Sequence, residues 1–299
     1  MPPLHRLARA LALTAALGLA LSASASTPFF QPLHQPATGE QHPGKIIWAD
    51  LFTADPEAAT KFYTGLFGWT ANVIQQEGRS YTVFSNGRRP VAGLAHRHTK
   101  DLKRPSRWIS YIAVTDLDAT LALVTKAGGQ VRAPARAFPE RGSQAIITDP
   151  EGSPVGLLQS SSGDTTDAEP QPGDWNWFEL YAQEPKTASA FYGQVFNYDV
   201  TLDARTARVG DYLLATGDLP RAGVAPMPDR PDTKPGWLCV VRVESIDESI
   251  KRVVLLGGDI LVAPRPAAYG SRFAIIADST GGSLGLVEYV NNANPATRP

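Results

Sequence analysis

From Ile46 to Phe52 the chain alternates, with Ile47, Ala49 and Leu51 on one side and Trp48, Asp50 and Phe52 on the other, the period of a strand. The period then changes. Ala59, Phe62, Tyr63 and Leu66 recur at helical spacing behind Asp55 as an N-cap and Pro56 at the first helical position, and Gly68 supplies a left-handed stop. Short strands are predicted next over Trp69–Val73, over Tyr81–Phe84 and, past the Asn86-Gly87 turn, over Val91–His96. Trp108–Val114 starts the pattern again. Asp116 is its cap, Leu117, Leu121 and Val124 its buried stripe, Gly128-Gly129 its stop, and Gln130–Ala133, Gln144–Thr148 and Val155–Gln159 its three further strands.

The same signals return 129 positions later: Trp48, Leu51, Pro56, Phe62, Tyr63, Trp108, Gly128-Gly129, Asp149 and Gly156 are matched by Trp177, Leu180, Pro185, Phe191, Tyr192, Trp237, Gly257-Gly258, Asp278 and Gly285. A period this long marks a duplicated globular unit and not a solenoid. Four strand–helix–three-strand modules are predicted, at 45–98, 107–160, 175–228 and 236–290. They pair into units 45–160 and 175–290, each long enough to bury its own core. Residues 161–174, rich in Ser, Pro and Gly, read as a linker, 26–44 as a disordered lead-in and 291–299 as a tail.

Residues 1–25 are of another kind. Arg6 and Arg9 precede an apolar run from Ala10 to about Leu21, and Ala23-Ser24-Ala25 offers a small-residue cleavage site, the layout of a signal peptide cut after Ala25. The single cysteine, Cys239, excludes an internal disulfide, and export without disulfides points to a periplasmic or secreted protein, with no membrane partner after cleavage. A formal charge of −1 and the absence of charge blocks give no nucleic-acid signature.

The ordered runs WADLFTADPEAATKFYTGLFGW, YTVFSNG, VAGL, WISYIAVTDLDATLALVTKAGGQV and AIITDPEGSPVGLLQ resemble the vicinal oxygen chelate superfamily, the glyoxalase, bleomycin-resistance and extradiol-dioxygenase relatives, and so does the second copy from WNWFELYAQEPKTASAFYGQVF to AIIADSTGGSLGLVEY. The resemblance implies an α+β fold: tandem domains, each a pair of βαβββ modules curling into an open barrel around a cleft. It also implies a divalent metal held by His, Glu or Gln on the first and fourth strands of the modules. Here those positions are read as Trp48 and Ser110 in the first domain and Trp177 and Cys239 in the second, with Gly156 and Gly285 on the last strands. Neither Trp nor Gly is a ligand, so no metal and no cofactor is expected.

Asp50 and Glu179 stand two residues beyond the tryptophans on the same strand face. Each is a candidate for ligand binding or proton transfer in an aromatic-walled cleft, or else a structural acid paired with an arginine such as Arg141 or Arg272. The substrate-binding candidates are thus Trp48, Asp50, Ser110, Trp177, Glu179 and Cys239. His96 and His98 share a face at a strand end, which suits a loop edge better than a metal site, and Cys239 reads as a buried core thiol. The expected function is binding of a small organic molecule in a metal-free cleft. The alternative is a lyase, isomerase or dioxygenase of the same superfamily using Asp50 or Glu179 as general base or a displaced metal site.

Overall fold

A computed structural model describes residues 29–289 except 100, 102–103, 205–209, 229–232 and 268–269. The leader with its cleavage site and the tail lie outside the described residues. The first module runs β1 (Ile46–Thr53), α1 (Pro56–Phe67), β2 (Thr70–Gln76), β3 (Arg79–Asn86) and β4 (Arg89–His96). The second runs β5 (Arg107–Ala113), α2 (Leu117–Lys126), β6 (Gln130–Phe138), β7 (Gly142–Thr148) and β8 (Pro154–Ser160). The third is β9 (Trp175–Ala182), α3 (Pro185–Phe196), β10 (Asp199–Leu202), β11 (Tyr212–Thr216) and β12 (Leu219–Pro226). The fourth is β13 (Gly236–Arg242), α4 (Ile246–Leu255), β14 (Asp259–Pro266), β15 (Ser271–Ala277) and β16 (Ser283–Tyr289).

The helix ends follow the local chemistry. Asp55 and Asp116 accept from Ala58 N and Ala119 N at 3.0 and 2.9 Å, and Ser245 accepts from Glu248 N. Gly68 and Asn197 take the left-handed conformation that ends α1 and α3, at φ 71° and 55°.

Each unit forms one eight-stranded mixed sheet, β2-β3-β4-β1-β5-β8-β7-β6 and β10-β11-β12-β9-β13-β16-β15-β14. The first strands of paired modules, β1 with β5 and β9 with β13, meet antiparallel at the centre, flanked by parallel partners β4 and β8 or β12 and β16. The sheets are curled but not closed, since β2, β6, β10 and β14 remain edges.

The units do not bury separate cores, as their lengths suggested. One apolar cluster takes in one face of each sheet and side chains of all four helices: Leu51, Phe62, Tyr63, Trp108, Val124 and Ile147 from the first unit join Leu180, Phe191, Tyr192, Val241, Val253 and Ile276 from the second. The repeated residues sit at this junction. Tyr63 Oη donates to Asp278 Oδ2 at 2.6 Å and accepts from Trp108 Nε1 at 2.9 Å. Tyr192 Oη reproduces the arrangement with Asp149 Oδ2 at 3.2 Å and Trp237 Nε1 at 3.0 Å. Gly129 and Gly258 leave room for Phe191 and Phe62 of the opposite unit, whose rings a Cβ would meet at 3.0 and 2.7 Å.

The described part of the lead-in, residues 29–44, and the linker are ordered, contrary to their composition. Residues 29–44 run beside the linker, with Thr38 N bonded to Ser162 O and Asp164 N to Glu40 O at 2.9 and 2.8 Å. Burial would raise the Asp167 carboxyl, but Arg221 and Lys45 clasp it from both units and hold it down at about 2.

Candidate functional site

The sheet faces turned away from the common core are the two concave surfaces. On the first, a bulge between Ile46 and Trp48 turns Ile47 and Trp48 to the same side, and the alternation then presents Asp50 and Phe52. Strand β3 adds Tyr81 and Val83, and β5 adds Ile109, Tyr111 and Ala113.

Asp50 is 2 % exposed and surrounded by donors. Tyr81 Oη donates to its Oδ1 at 2.6 Å and Trp48 Nε1 at 2.8 Å, while the Arg141 guanidinium lies 4.3 Å over the Trp48 ring. Burial raises the Asp50 pKa, opposed by Tyr81, by the Arg141 charge and by Trp48 and Tyr111. The fully buried Tyr81 and Tyr111 phenols are raised well above their ordinary value, first by burial and next by the Asp50 charge. Gly93, directly across on β4, is the space this group fills, since a Cβ there would overlap Tyr81 Oη and Asp50 Oδ1.

The first cleft is also full. Phe30 packs on Tyr81 and Phe138 with ring centroids 4.7 and 4.4 Å away, Phe29 lies 5.8 Å from Tyr81, and Leu33 is buried in the same cluster. Arg141 Nε donates to the Gln31 carbonyl. These contacts come from the segment read as a disordered lead-in.

The second concave face repeats the Trp–acid pair in another setting. Trp177 Nε1 donates to Glu179 Oε2 at 2.7 Å, and Gly223 opposite again makes room for the carboxylate. Trp177, Glu179 and Tyr181 are half-buried, where Trp48 and Asp50 are shut off. Three partners of Asp50 are exchanged: the register puts Asp211 in the place of Tyr81, and the 129-residue offset puts Val240 in the place of Tyr111 and Gly270 in that of Arg141. Asp211 is 5 % exposed on this face, and its Oδ1 has no hydrogen-bond partner among the described residues. Arg272 is not the partner of Glu179; it pairs with Asp247 and Glu288.

Two of the sequence-predicted site residues belong elsewhere. Ser110 and Cys239 alternate with the cleft residues of β5 and β13 and point into the common core, where they lie beside each other across the unit boundary. Burial pushes the Cys239 thiol up to about 12, against a smaller opposing effect of Ser110. The cleft positions of these strands are Ile109, Tyr111, Leu238 and Val240.

The donor set does not suit a family-type divalent metal. Trp48, Trp177 and four glycines, Gly93, Gly156, Gly223 and Gly285, stand at inward positions of the strands nearest the centre, leaving one carboxylate on each first strand, Asp50 or Glu179, and the Gly156 and Gly285 spaces are filled by Tyr111 and by Val240 with Phe273. Among the described residues no three His, Cys, Asp or Glu side chains are placed to share an ion. The His96 and His98 rings are 4.3 Å apart at the end of β4, but they have no third ligand among the described residues.

Comparison with known proteins agrees with this architecture. The sequence profile of the Glyoxalase/Bleomycin resistance protein/Dioxygenase superfamily matches residues 45–157. CFP32 of Mycobacterium tuberculosis, provisionally named a glyoxylase, is 31 % identical over 258 residues, 85 % of this chain and 98 % of that protein. The anthracycline biosynthesis protein DauV of Streptomyces sp. strain C5 is 31 % identical over 85 % of this chain and 96 % of its own length, and DnrV of Streptomyces peucetius is 30 % identical over 82 % and 94 %. Among solved structures, the 2,3-dioxygenase LapB from Pseudomonas sp. KL28 superposes with a TM-score of 0.58 at 13 % identity, covering 87 % of this chain and 97 % of that one. The Mn(II)-bound glyoxalase from Novosphingobium aromaticivorans gives 0.57 at 17 % identity, covering 83 % of each chain. At these identities the two structures speak to the fold alone. The full-length sequence relatives, the matched profile and the paired βαβββ modules together make this chain a member of the glyoxalase/bleomycin resistance protein/dioxygenase superfamily.

Proposed function

We propose that this protein is exported and binds a small organic molecule in the concave face of its second domain, without a metal of the family type. The observation that carries the reading is the contrast between the two copies. In the second, the Trp177–Glu179 pair is half-buried, and Asp211 brings to the same face a buried carboxylate oxygen that has no partner among the described residues. Such an oxygen is costly unless a donor reaches it, and a bound ligand carrying hydroxyl or amino groups supplies one. The walls suit a flat ring system: Trp177 and Tyr181 on β9, Leu238 and Val240 on β13, and Phe273 beside Gly285. Two relatives of nearly the same length are named for anthracycline biosynthesis, which supports a polycyclic aromatic ligand with hydroxyl substituents.

The test is a fluorescence titration of the protein with an anthracycline aglycone, repeated on Trp177→Ala and Asp211→Asn. Saturable binding at one molecule per chain, weakened at least tenfold by each substitution, is the expected outcome. Affinity unchanged in both variants places the ligand elsewhere and ends the reading.

A further inference from the structure

The first concave face carries the same Trp–acid pair, but with a built-in occupant. The geometry points to this cleft being a ligand site that the chain fills itself: the segment Phe29–Leu33 is a detachable strap, and its release exposes a site for a small phenol-like aromatic molecule.

The strap is held by side chains more than by its backbone. Residues 29–34 form no strand or helix; the Gln31 carbonyl accepts from Arg141, and His34 N donates to Ser162 Oγ at 3.2 Å. Phe29, Phe30 and Leu33 supply the burial, against Tyr81, Phe138 and the rest of the cleft cluster. Segments without ladder hydrogen bonds are those that open locally without global unfolding. The opening needs no loop to be rearranged if the chain is cut after Ala25, because the strap then lies near a free end.

What the strap covers is equipped for a ligand. Beneath Phe29 and Phe30 lie the rings of Trp48, Tyr81 and Tyr111, with the Asp50 carboxylate among them. A planar ring replaces the Phe30 ring against Tyr81, and its hydroxyl reaches the Arg141 guanidinium that the Gln31 carbonyl now engages. The segment that precedes the second copy takes a different course. The chain before β9 is the linker, and it is tied to the first unit instead, with Trp69 Nε1 bonded to Gly173 O and Asn86 Nδ2 to Asp174 Oδ1 at 2.9 and 2.7 Å. A tethered strap competes at high effective concentration, so the first cleft's apparent affinity in the intact protein falls by the fraction of time it stands open. This inference does not depend on the second cleft.

The test uses the full chain carrying Phe29→Ser, Phe30→Ser and Leu33→Ser, a fluorescein-labelled synthetic peptide of residues 27–36, and 2-naphthol. The peptide should bind the folded variant at one per chain, at least tenfold more tightly than it binds the unmodified protein, and 2-naphthol should displace it. Equal affinity for both proteins, or a bound peptide that 2-naphthol leaves in place, overturns the proposal. If circular dichroism shows that the variant does not fold, hydrogen exchange on the unmodified protein decides. The His34 amide, which donates to Ser162 Oγ, exchanging at least a hundredfold faster than those of β1 supports a detachable strap, and its exchange at the rate of global unfolding makes the segment a part of the core and refutes it.

Discussion

Removing the Tyr63 hydroxyl tests whether the two domains stand on one core. Tyr63 is fully buried, its oxygen donates to Asp278 Oδ2 at 2.6 Å, and it accepts from Trp108 Nε1. The other Asp278 oxygen is already satisfied by Thr280 N, Thr280 Oγ1 and Gly282 N, so Oδ2 relies on the phenol. Tyr63→Phe keeps the ring, removes a hydrogen bond to a charged group worth about 1.5–3 kcal/mol, and leaves a buried indole N–H unpaired for a further ~1 kcal/mol or more. A loss of about 3 kcal/mol is expected, a drop of about 5 °C in melting temperature for a chain of this size. Tyr192→Phe breaks a longer contact, 3.2 Å to Asp149, and should cost about half as much. Urea unfolding followed by tryptophan fluorescence and far-ultraviolet circular dichroism measures both. The two probes should coincide in one transition, because Tyr63 joins a helix of the first domain to a turn of the second. A change below about 0.5 kcal/mol in Tyr63→Phe, or separate transitions for the two halves, refutes the shared-core argument.

The acids should separate. Asp50→Asn disturbs a sealed donor cluster and should lower stability by about 1–3 kcal/mol with ligand titration unchanged, whereas Glu179→Gln in the half-open cleft should lower ligand affinity and leave the melt nearly unmoved. Cys239 should ignore a thiol reagent at pH 8 in the native protein and react once unfolded. Its folded pKa, about 12, lies above the ordinary thiol value, so the folded state keeps a proton the unfolded chain loses. Its contribution is therefore complete below about pH 9 and lost as pH climbs toward 12, and Cys239→Ala should flatten that part of the alkaline stability curve; an equal slope in both proteins contradicts this. Elemental analysis after dialysis should find no stoichiometric manganese, iron, nickel or zinc, and one tightly held metal per domain would overturn the reading of the inward glycines. N-terminal sequencing of the exported chain should begin at Ser26, and an intact leader in the membrane fraction would make it an anchor.

The sequence by itself determined the modules. The helical stripes, the caps at Asp55 and Asp116 and the stop at Gly68 are short-range effects, and each is realised where the pattern put it, whereas the bulge in β1 moves Ile47 off its predicted side. The duplication was equally plain, and with it the Trp48–Asp50 and Trp177–Glu179 pairs, because a strand that presents a polar residue on one face leaves a readable alternation. Strand β5 has no such face. Ile109 and Tyr111 fill the cleft while Ser110 and Ile112 enter the common core, so polarity along the strand carries no parity and Ser110 and Cys239 were assigned to the wrong side. The purpose of the repeated Tyr, Trp and Asp residues could not be read from one copy, since Tyr63 and Asp278 are 215 positions apart and meet only when the two units pack. The strap was illegible for a related reason. Phe29, Phe30 and Leu33 follow no secondary-structure period, and what orders them is a cavity built by strands that begin seventeen residues and more beyond Phe29. Local hydrogen bonding and periodicity are written in neighbouring residues, but which face is covered, and by what, is decided by burial between segments distant in sequence.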